Sequence, residues 1–301
     1  MLLDNNYHIP VLLLPSIDAM VTNRDGIYVD ATYGGGSHSR EILRRLSSSG
    51  KLIAFDKDSD ALNNDIINDN RFQLIHSDYK YLKKYLRYYG IERIDGILAD
   101  LGVSSHQLDE NERGFSFQSD EPLDMRMNAL QETNAESILM NYTEAELVRV
   151  WSEYSELTNA LKIAQKWIKD RKFIRLNSCK DFSDWVTPFI YGPRNKFLAK
   201  LFQGLRIEVN GELQGLSELL RQSEELLIPG GRIVILSYHS LEDRIVKKFL
   251  KGDNEGPIDW MNNKSSKKFS IINKKLIEAD EQEINKNSRS RSVKMRIAER
   301  I

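Results

Sequence analysis

In the first hundred residues a carboxylate follows each apolar run of strand type. Asp30 follows Gly26-Ile-Tyr-Val29, Asp56 follows Lys51-Leu-Ile-Ala-Phe55, Asp78 comes two residues after Phe72-Gln-Leu-Ile-His76, and Asp100 closes Ile94-Asp-Gly-Ile-Leu-Ala. Between Asp30 and the next amphipathic stretch stand Gly34, Gly35, Gly36, Ser37, His38 and Ser39. Glycines at such a strand-to-helix turn let a nucleotide-type ligand approach the backbone closely. A dinucleotide fingerprint needs Gly or Ala where Ser39 stands, and here the acid precedes the glycines. That order favours an S-adenosylmethionine loop over a pyrophosphate loop. Asp56, twenty residues after Gly36, is placed to accept hydrogen bonds from both ribose hydroxyls. Tyr79 beside Asp78 offers a face for an adenine ring, while Asp78 reads equally well as a helix cap. Asp100 brings a fourth carboxylate to the edge where open α/β sheets carry their chemistry.

Four such acids imply the elements that hold them. Strand-type runs at 26–30, 51–56, 72–76 and 94–100 alternate with helical patterns at 37–46, 59–67 and 79–89. Near-continuous apolar strands joined by helices predict an α/β fold with a mostly parallel, doubly wound sheet. The alternation stops from Leu101 to about Lys200, in a polar, helix-prone stretch. There Thr143-Glu-Ala-Glu146 is a capping box and helical spacing runs over 157–167. A long helical pattern over 197–227 precedes Pro229-Gly-Gly231 and a further strand, Arg232-Ile-Val-Ile-Leu236. The organisation expected is a discontinuous core, 1–105 with 206–301, and a helical insertion, 106–205.

The chain has 301 residues and a formal charge of -1, so any affinity for a polyanion must come from segregated patches. Residues 106–160 hold 12 acids against 3 Arg, residues 161–206 hold 11 Lys and Arg against 3 Asp, and residues 264–301 hold 11 against 5 acids. Each basic run reads as a solvated face or as phosphate contact, and their recurrence favours contact. Unbroken apolar runs reach four residues, as at Val11–Leu14, against the roughly 20 of a membrane helix. A soluble protein without a leader or membrane association is expected. One cysteine, Cys179, and no paired His spacing on a helix leave no expected metal site and suggest a reducing cytoplasm.

Two later segments, together with the fourth strand end, make the sequence recognisable. Asp100-Leu-Gly-Val-Ser-Ser-His-Gln-Leu-Asp109, Arg113-Gly-Phe-Ser-Phe-Gln118 and Pro122-Leu-Asp-Met-Arg-Met127 resemble the RsmH (MraW) family. So do Tyr7-His-Ile-Pro-Val11, Phe202-Gln-Gly-Leu-Arg-Ile-Glu-Val-Asn210, Ser237-Tyr-His-Ser-Leu-Glu-Asp-Arg244 and Ser290-Arg-Ser-Val-Lys-Met-Arg296. The resemblance implies a Rossmann-like class I methyltransferase that uses S-adenosylmethionine to methylate N4 of a cytosine, position 1402, in the decoding centre of 16S rRNA. It implies cofactor contacts at Gly36, Ser37, His38, Asp56, Tyr79, Asp100 and Gln107, to which the loop adds Gly34 and Gly35. The sequence departs from the family pattern at Ser37, His106 and Gly211, the last inside the predicted helix, where it weakens the helix by up to about 1 kcal/mol.

Methyl transfer from a sulfonium is governed by positioning. The delocalised amine of cytosine needs an acceptor that favours a pyramidal nitrogen, and Asp100 is the expected residue for cofactor, base or both. His239 is a candidate to receive the amine proton, although Ser240-Leu-Glu-Asp243 reads as a capping box. Phe115, Phe117, Arg126 and Tyr238 are candidate planes for an unstacked base, with core packing as the other reading for the two phenylalanines. The expected partner is 16S rRNA within the small ribosomal subunit, and the sequence leaves a homodimer open. Two other readings share the loop and the acids: the same chemistry on DNA, protein or a small amine, and a non-catalytic RNA-binding assembly factor. A nicotinamide oxidoreductase is disfavoured by Ser39 and Asp30.

Overall fold

The computed structural model describes residues 10–63, 67–104, 113–252, 267–273 and 275–301. The chain divides into two compact units, Met1–Gly102 with Leu213–Ile301, and Val103–Glu212.

The first unit is built on a seven-stranded sheet: β1 (Ile27–Asp30), β2 (Lys51–Asp56), β3 (Phe72–His76), β4 (Ile94–Asp100), β5 (Leu227–Ser237), β6 (Phe269–Ile271) and β7 (Lys294–Arg300). Their order is β3-β2-β1-β4-β5-β7-β6. Pairing is parallel from β3 through β5 and antiparallel at β7. The sheet is thus mostly parallel with flanking helices, a Rossmann-like arrangement. Strands covered on both faces need apolar side chains at nearly every position, which is why Leu52, Ile53, Ala54 and Phe55 form an unbroken buried run. One face packs Val29, Phe55, Ile97 and Ile235 against Leu82, Leu86, Leu216 and Leu220. The other packs Tyr28, Leu52, Leu98 and Val234 against Ile17, Met20, Ile42 and Leu43. Because β1 and β4 are central neighbours and β2 and β5 flank them, Asp30, Asp56, Asp100 and Ser237 end at one edge.

β5 begins five residues earlier than its sequence pattern indicates. Ile94 pairs with Leu227 and Gly96 with Arg232, so Pro229-Gly230-Gly231 loops out opposite Asp95 while the strand continues on either side. Gly230 takes φ 81°, which permits the bulge.

Among the described residues the second unit is helical and has its own core. Three of the chain's four tryptophans lie here, Trp151, Trp167 and Trp185, around Phe182. The indole Nε1 of Trp167 donates to the Leu139 carbonyl at 2.7 Å, so the ring is buried with its polar atom satisfied. The capping box at Thr143 and Glu146 forms, with the Glu146 carboxylate accepting from the Thr143 amide at 2.8 Å. The helix expected over 157–167 runs instead over Ala160–Asp170, because Glu156 turns the chain at φ 50° and the Leu157 amide donates back to Trp151. No described helix is long and apolar enough to cross a membrane.

The long pattern over 197–227 is two helices, Arg194–Asn210 and Glu212–Leu226, separated by Gly211 at φ 58°. Gly211 therefore does not weaken a continuous helix. It is the left-handed C-cap that ends one, and a Cβ there would meet nothing within 4 Å. Gly211→Ala is expected to cost about 1 kcal/mol through backbone strain alone, measured as a lower urea midpoint at unchanged slope. A midpoint equal to wild type would mean that the turn relaxes without the left-handed residue.

Candidate functional site

The carboxyl edge of the parallel sheet carries the candidate site of the first unit, and its loops are tied together by backbone bonds. The Ala31 amide donates to Leu98 and the Tyr33 amide to Phe55, each at 2.8 Å, so the loop after β1 continues the pairing of β1 with β4 and then crosses to β2. Gly34 and Gly36 take φ 52° and 73°. Added at Gly36, a Cβ would strike the Tyr33 ring at 2.7 Å, whereas at Gly34 it would point into space with nothing within 4 Å. Gly36 caps the helix Ser37–Arg45, whose first residues are Ser37 and His38.

Each strand-end acid is held differently. Asp30 is fully buried and accepts from the Ser39 hydroxyl at 2.7 Å and the Thr32 amide at 3.2 Å. Burial pushes its carboxyl up to about 7 against those two donors, and the charges of Asp100 and Asp56 add to the effect. Asp56 accepts from the Gly34 amide at 2.8 Å and the Asp58 amide at 2.9 Å, one bond to each oxygen, and keeps part of its surface accessible. Burial raises its carboxyl, with the two amides opposing. Asp100 donates its amide to the Thr32 hydroxyl at 2.7 Å, and its Oδ1 accepts from the Tyr238 hydroxyl at 2.7 Å. Burial holds this carboxyl at about 7, opposed by the Tyr238 bond and reinforced by Glu242. Among the described residues no group bonds Asp100 Oδ2.

The Ser237-Tyr-His-Ser240 turn at the end of β5 reaches this edge. Tyr238 is bonded to Asp100, and burial together with that acceptor raises its phenol well above the usual range. The capping box is one residue earlier than the sequence indicates. His239, in place of Ser240, is the N-cap, its Nδ1 accepting from the Glu242 amide at 3.4 Å. Buried Glu242 reaches back to the Tyr238 and His239 amides at 2.8 and 3.3 Å, and its Oε1 lies 3.2 Å from His239 Nε2. The His239 ring nitrogen takes the accepting role that a serine hydroxyl plays at a common N-cap.

Other expected site residues have specific partners. His38 is buried with Nε2 3.2 Å from the Val11 carbonyl. Asp78 caps the short turn Tyr79–Tyr81 by accepting from the Lys80 amide at 2.9 Å, and Tyr79 packs at the rim of the sheet's core. Gln107 lies outside the described residues. Phe115, Phe117 and Arg126 belong to the second unit. Phe115 is buried in its core and Phe117 meets Phe202 edge-on at 6.0 Å. Arg126 pairs bidentately with Asp124, at 2.7 and 2.8 Å, and donates to the Ala129 and Gln131 carbonyls.

Three supporting residues were given no role at the site from the sequence: Thr32, Ser39 and Glu242. Ser39 left a signal, being the residue that fails the dinucleotide fingerprint; its hydroxyl serves the buried acid nine residues before it.

These groups suit a ligand that brings hydroxyl donors and positive charge. Asp56 has lone pairs left on two oriented oxygens, the space above Gly34 is open, and three carboxyls close together favour a cation. The same crowding has a consequence for stability. A carboxyl held near 7 in the folded chain and ionised near 4 in the unfolded one stabilises the fold below about pH 4, and that contribution is lost as pH rises through 7. Asp30→Asn mimics the protonated form, so its stability should fall less steeply between pH 4 and 7 than that of wild type, by up to about 3–4 kcal/mol over the range. Parallel slopes in urea titrations across pH would show Asp30 to be ionised throughout.

The profile of the MraW methylase family matches residues 5–301. Ribosomal RNA small subunit methyltransferase H of Bacteroides thetaiotaomicron is 48% identical over 298 residues, covering 98% of this chain and 97% of the relative. The proteins of that name from Christiangramia forsetii and Flavobacterium johnsoniae are 47% and 48% identical, each alignment covering 98% of both chains. With a match over nearly the whole length and a glycine loop and strand-end acids in place, the chain belongs to the MraW methylase family.

Proposed function

We propose that the protein transfers a methyl group from S-adenosylmethionine to the exocyclic N4 of a cytosine in 16S rRNA, position 1402 in the decoding centre, as the small subunit matures. The observation that carries the reading is the pairing at Asp100, where Tyr238 occupies Oδ1 and leaves Oδ2 as an acceptor at the carboxyl edge. The names of the relatives support the RNA, and the acceptor requirement of a cytosine amine supports N4.

When bound, S-adenosylmethionine supplies an electrophilic methyl group on a sulfonium. Asp56 accepts the ribose hydroxyls, and the Gly34 amide keeps its carboxylate aimed. Gly34 leaves room for the ligand against the backbone, His38 anchors the helix that Gly36 caps, and Gly35, Gly36, Ser37, Tyr79 and Gln107 complete the set that the loop and the family resemblance assign. Asp100 accepts from the cytosine amine at Oδ2, draws its lone pair out of conjugation and takes the proton the nitrogen sheds. A carboxyl held at about 7 is suited to that exchange near neutral pH. His239 and Glu242 fix the turn that carries Tyr238.

We assign RNA recognition to the second unit. Lys162, Lys169, Lys172 and Arg175 are exposed there and in no ion pair among the described residues, and Phe173 beside them is 89% exposed. Phosphate contacts and base stacking use such groups. The acceptor class is tested by incubating the protein with labelled S-adenosylmethionine and, separately, small ribosomal subunits from cells lacking the modification, duplex DNA and total protein. Label is expected in RNA of the subunits alone; label in DNA or protein would replace the RNA reading.

A further inference from the structure

We propose that the exposed face of the segment 79–91 in the first unit is a second RNA contact, in which tyrosine rings stack unpaired bases and Lys84 and Arg87 hold phosphates. The inference rests on the RNA methyltransferase reading and adds a surface on the catalytic unit itself.

The segment reads Tyr-Lys-Tyr-Leu-Lys-Lys-Tyr-Leu-Arg-Tyr-Tyr-Gly-Ile, with five of the chain's twelve tyrosines, four cations and no acid. It forms a short turn, Tyr79–Tyr81, followed by the helix Leu82–Tyr88. The apolar positions are spent on the core: Leu82 and Leu86 are fully buried and Tyr85 meets Phe55 edge-on at 6.0 Å. The remaining rings are turned outward, with Tyr81, Tyr88 and Tyr89 exposed by 49%, 82% and 45%. Tyr81, Lys84 and Tyr88 are spaced to share one helical face. Tyr88 and Tyr89 hold each other edge-to-face at 5.2 Å, and the Lys80 ammonium sits 5.2 Å from the Tyr81 ring centre. Lys83 is tied to Glu225, but neither Lys84 nor Arg87 is in an ion pair among the described residues.

Three large exposed rings on thirteen residues are more than the scattered apolar exposure of an ordinary surface. A protein partner would favour the tyrosines and select against the lysines. Interleaved cations and rings with no acid match a flexible polyanion whose bases each offer a π-face. The segment also starts at Tyr79, so RNA bound along it would lie on the chain that leads from the cofactor rim.

The test measures binding of the full-length protein to a fluorescein-labelled, mixed-sequence, single-stranded RNA of sixteen nucleotides over a series of KCl concentrations, with S-adenosylmethionine affinity by calorimetry as a control. Tyr88→Ala with Tyr89→Ala is expected to lose about tenfold in RNA affinity at every salt concentration with the salt slope unchanged. Lys84→Gln with Arg87→Gln is expected to reduce the slope of log K against log salt by about 1.4. Both variants should bind S-adenosylmethionine as wild type does, which also shows that they fold. If wild type binds the RNA and both variants match it, the proposal is overturned. Retained RNA affinity with lost binding to small subunits would overturn it in favour of a ribosomal protein contact. RNA bound by none of the three would bring down the RNA reading itself, a different failure.

Discussion

Asp100→Asn is expected to lower the rate of methyl transfer about 10²–10³-fold while leaving the fold and most of the affinity for S-adenosylmethionine intact. The substitution keeps the oxygen that accepts from Tyr238, so the side chain is still held at 2.7 Å from the phenol. What changes is the other corner, where an acceptor becomes an N–H donor. That group faces the amine with the wrong polarity and cannot take its proton. The pH profile separates this from a packing defect. If Asp100 acts as proposed, wild type needs the ionised carboxylate, and burial holds the group at about 7, so the rate should rise with pH through that region and level above it. Asp100→Asn should be flat over the same range. A variant within threefold of wild-type rate, or one that retains the rise near pH 7, would remove Asp100 from the chemistry.

The second large effect is on binding. Asp56→Ala is expected to weaken S-adenosylmethionine by about 10²–10⁴-fold in calorimetry, since two hydrogen bonds to a charged acceptor contribute about 1.5–3 kcal/mol each. Part of the loss comes from the loop. The Asp56 carboxylate is the partner of the Gly34 and Asp58 amides, so its removal releases the Gly34 amide, leaving the Tyr33-to-Phe55 backbone bond to hold the loop to β2, as well as deleting the proposed ribose acceptor. Asp56→Asn distinguishes the two contributions: its side-chain oxygen can keep one amide, and it should lose less. Affinity unchanged in Asp56→Ala would place the ribose elsewhere.

Much of the first unit was legible because its strands are covered on both faces. A run such as Leu-Ile-Ala-Phe between turns has few other uses, and the acid that follows it must then lie at the sheet edge. Where prediction faltered, the deciding contacts were distant in sequence or turned on a single backbone angle. Gly211 looks like a flaw in a long helix until its φ of 58° shows two helices meeting there. Ser240-Leu-Glu-Asp243 fits the capping pattern, yet His239 wins because Glu242, three residues on, is the buried carboxylate that reaches back to it. The bond from Tyr238 to Asp100 spans 138 residues, and that from the Asp100 amide to Thr32 spans 68. Neither leaves a local pattern. Phe115 and Phe117 are candidate planes for an unstacked base because they are aromatic, while their alternation points to core packing, and both pack in the core of the helical unit.

The central claim, methylation at N4 of one cytosine, is tested most directly by identifying the product nucleoside. Small ribosomal subunits from cells lacking the modification would be treated with the purified protein and S-adenosylmethionine, and their 16S RNA digested and analysed by mass with fragmentation of the base. N4-methylcytidine at a single position, absent when Asp100→Asn replaces wild type, is the predicted result. A methyl group on C5 of cytosine or on the 2′-hydroxyl would contradict the account, because neither nucleophile calls for the amine acceptor proposed at Asp100, and one on the amine of another base would contradict the assignment to cytosine.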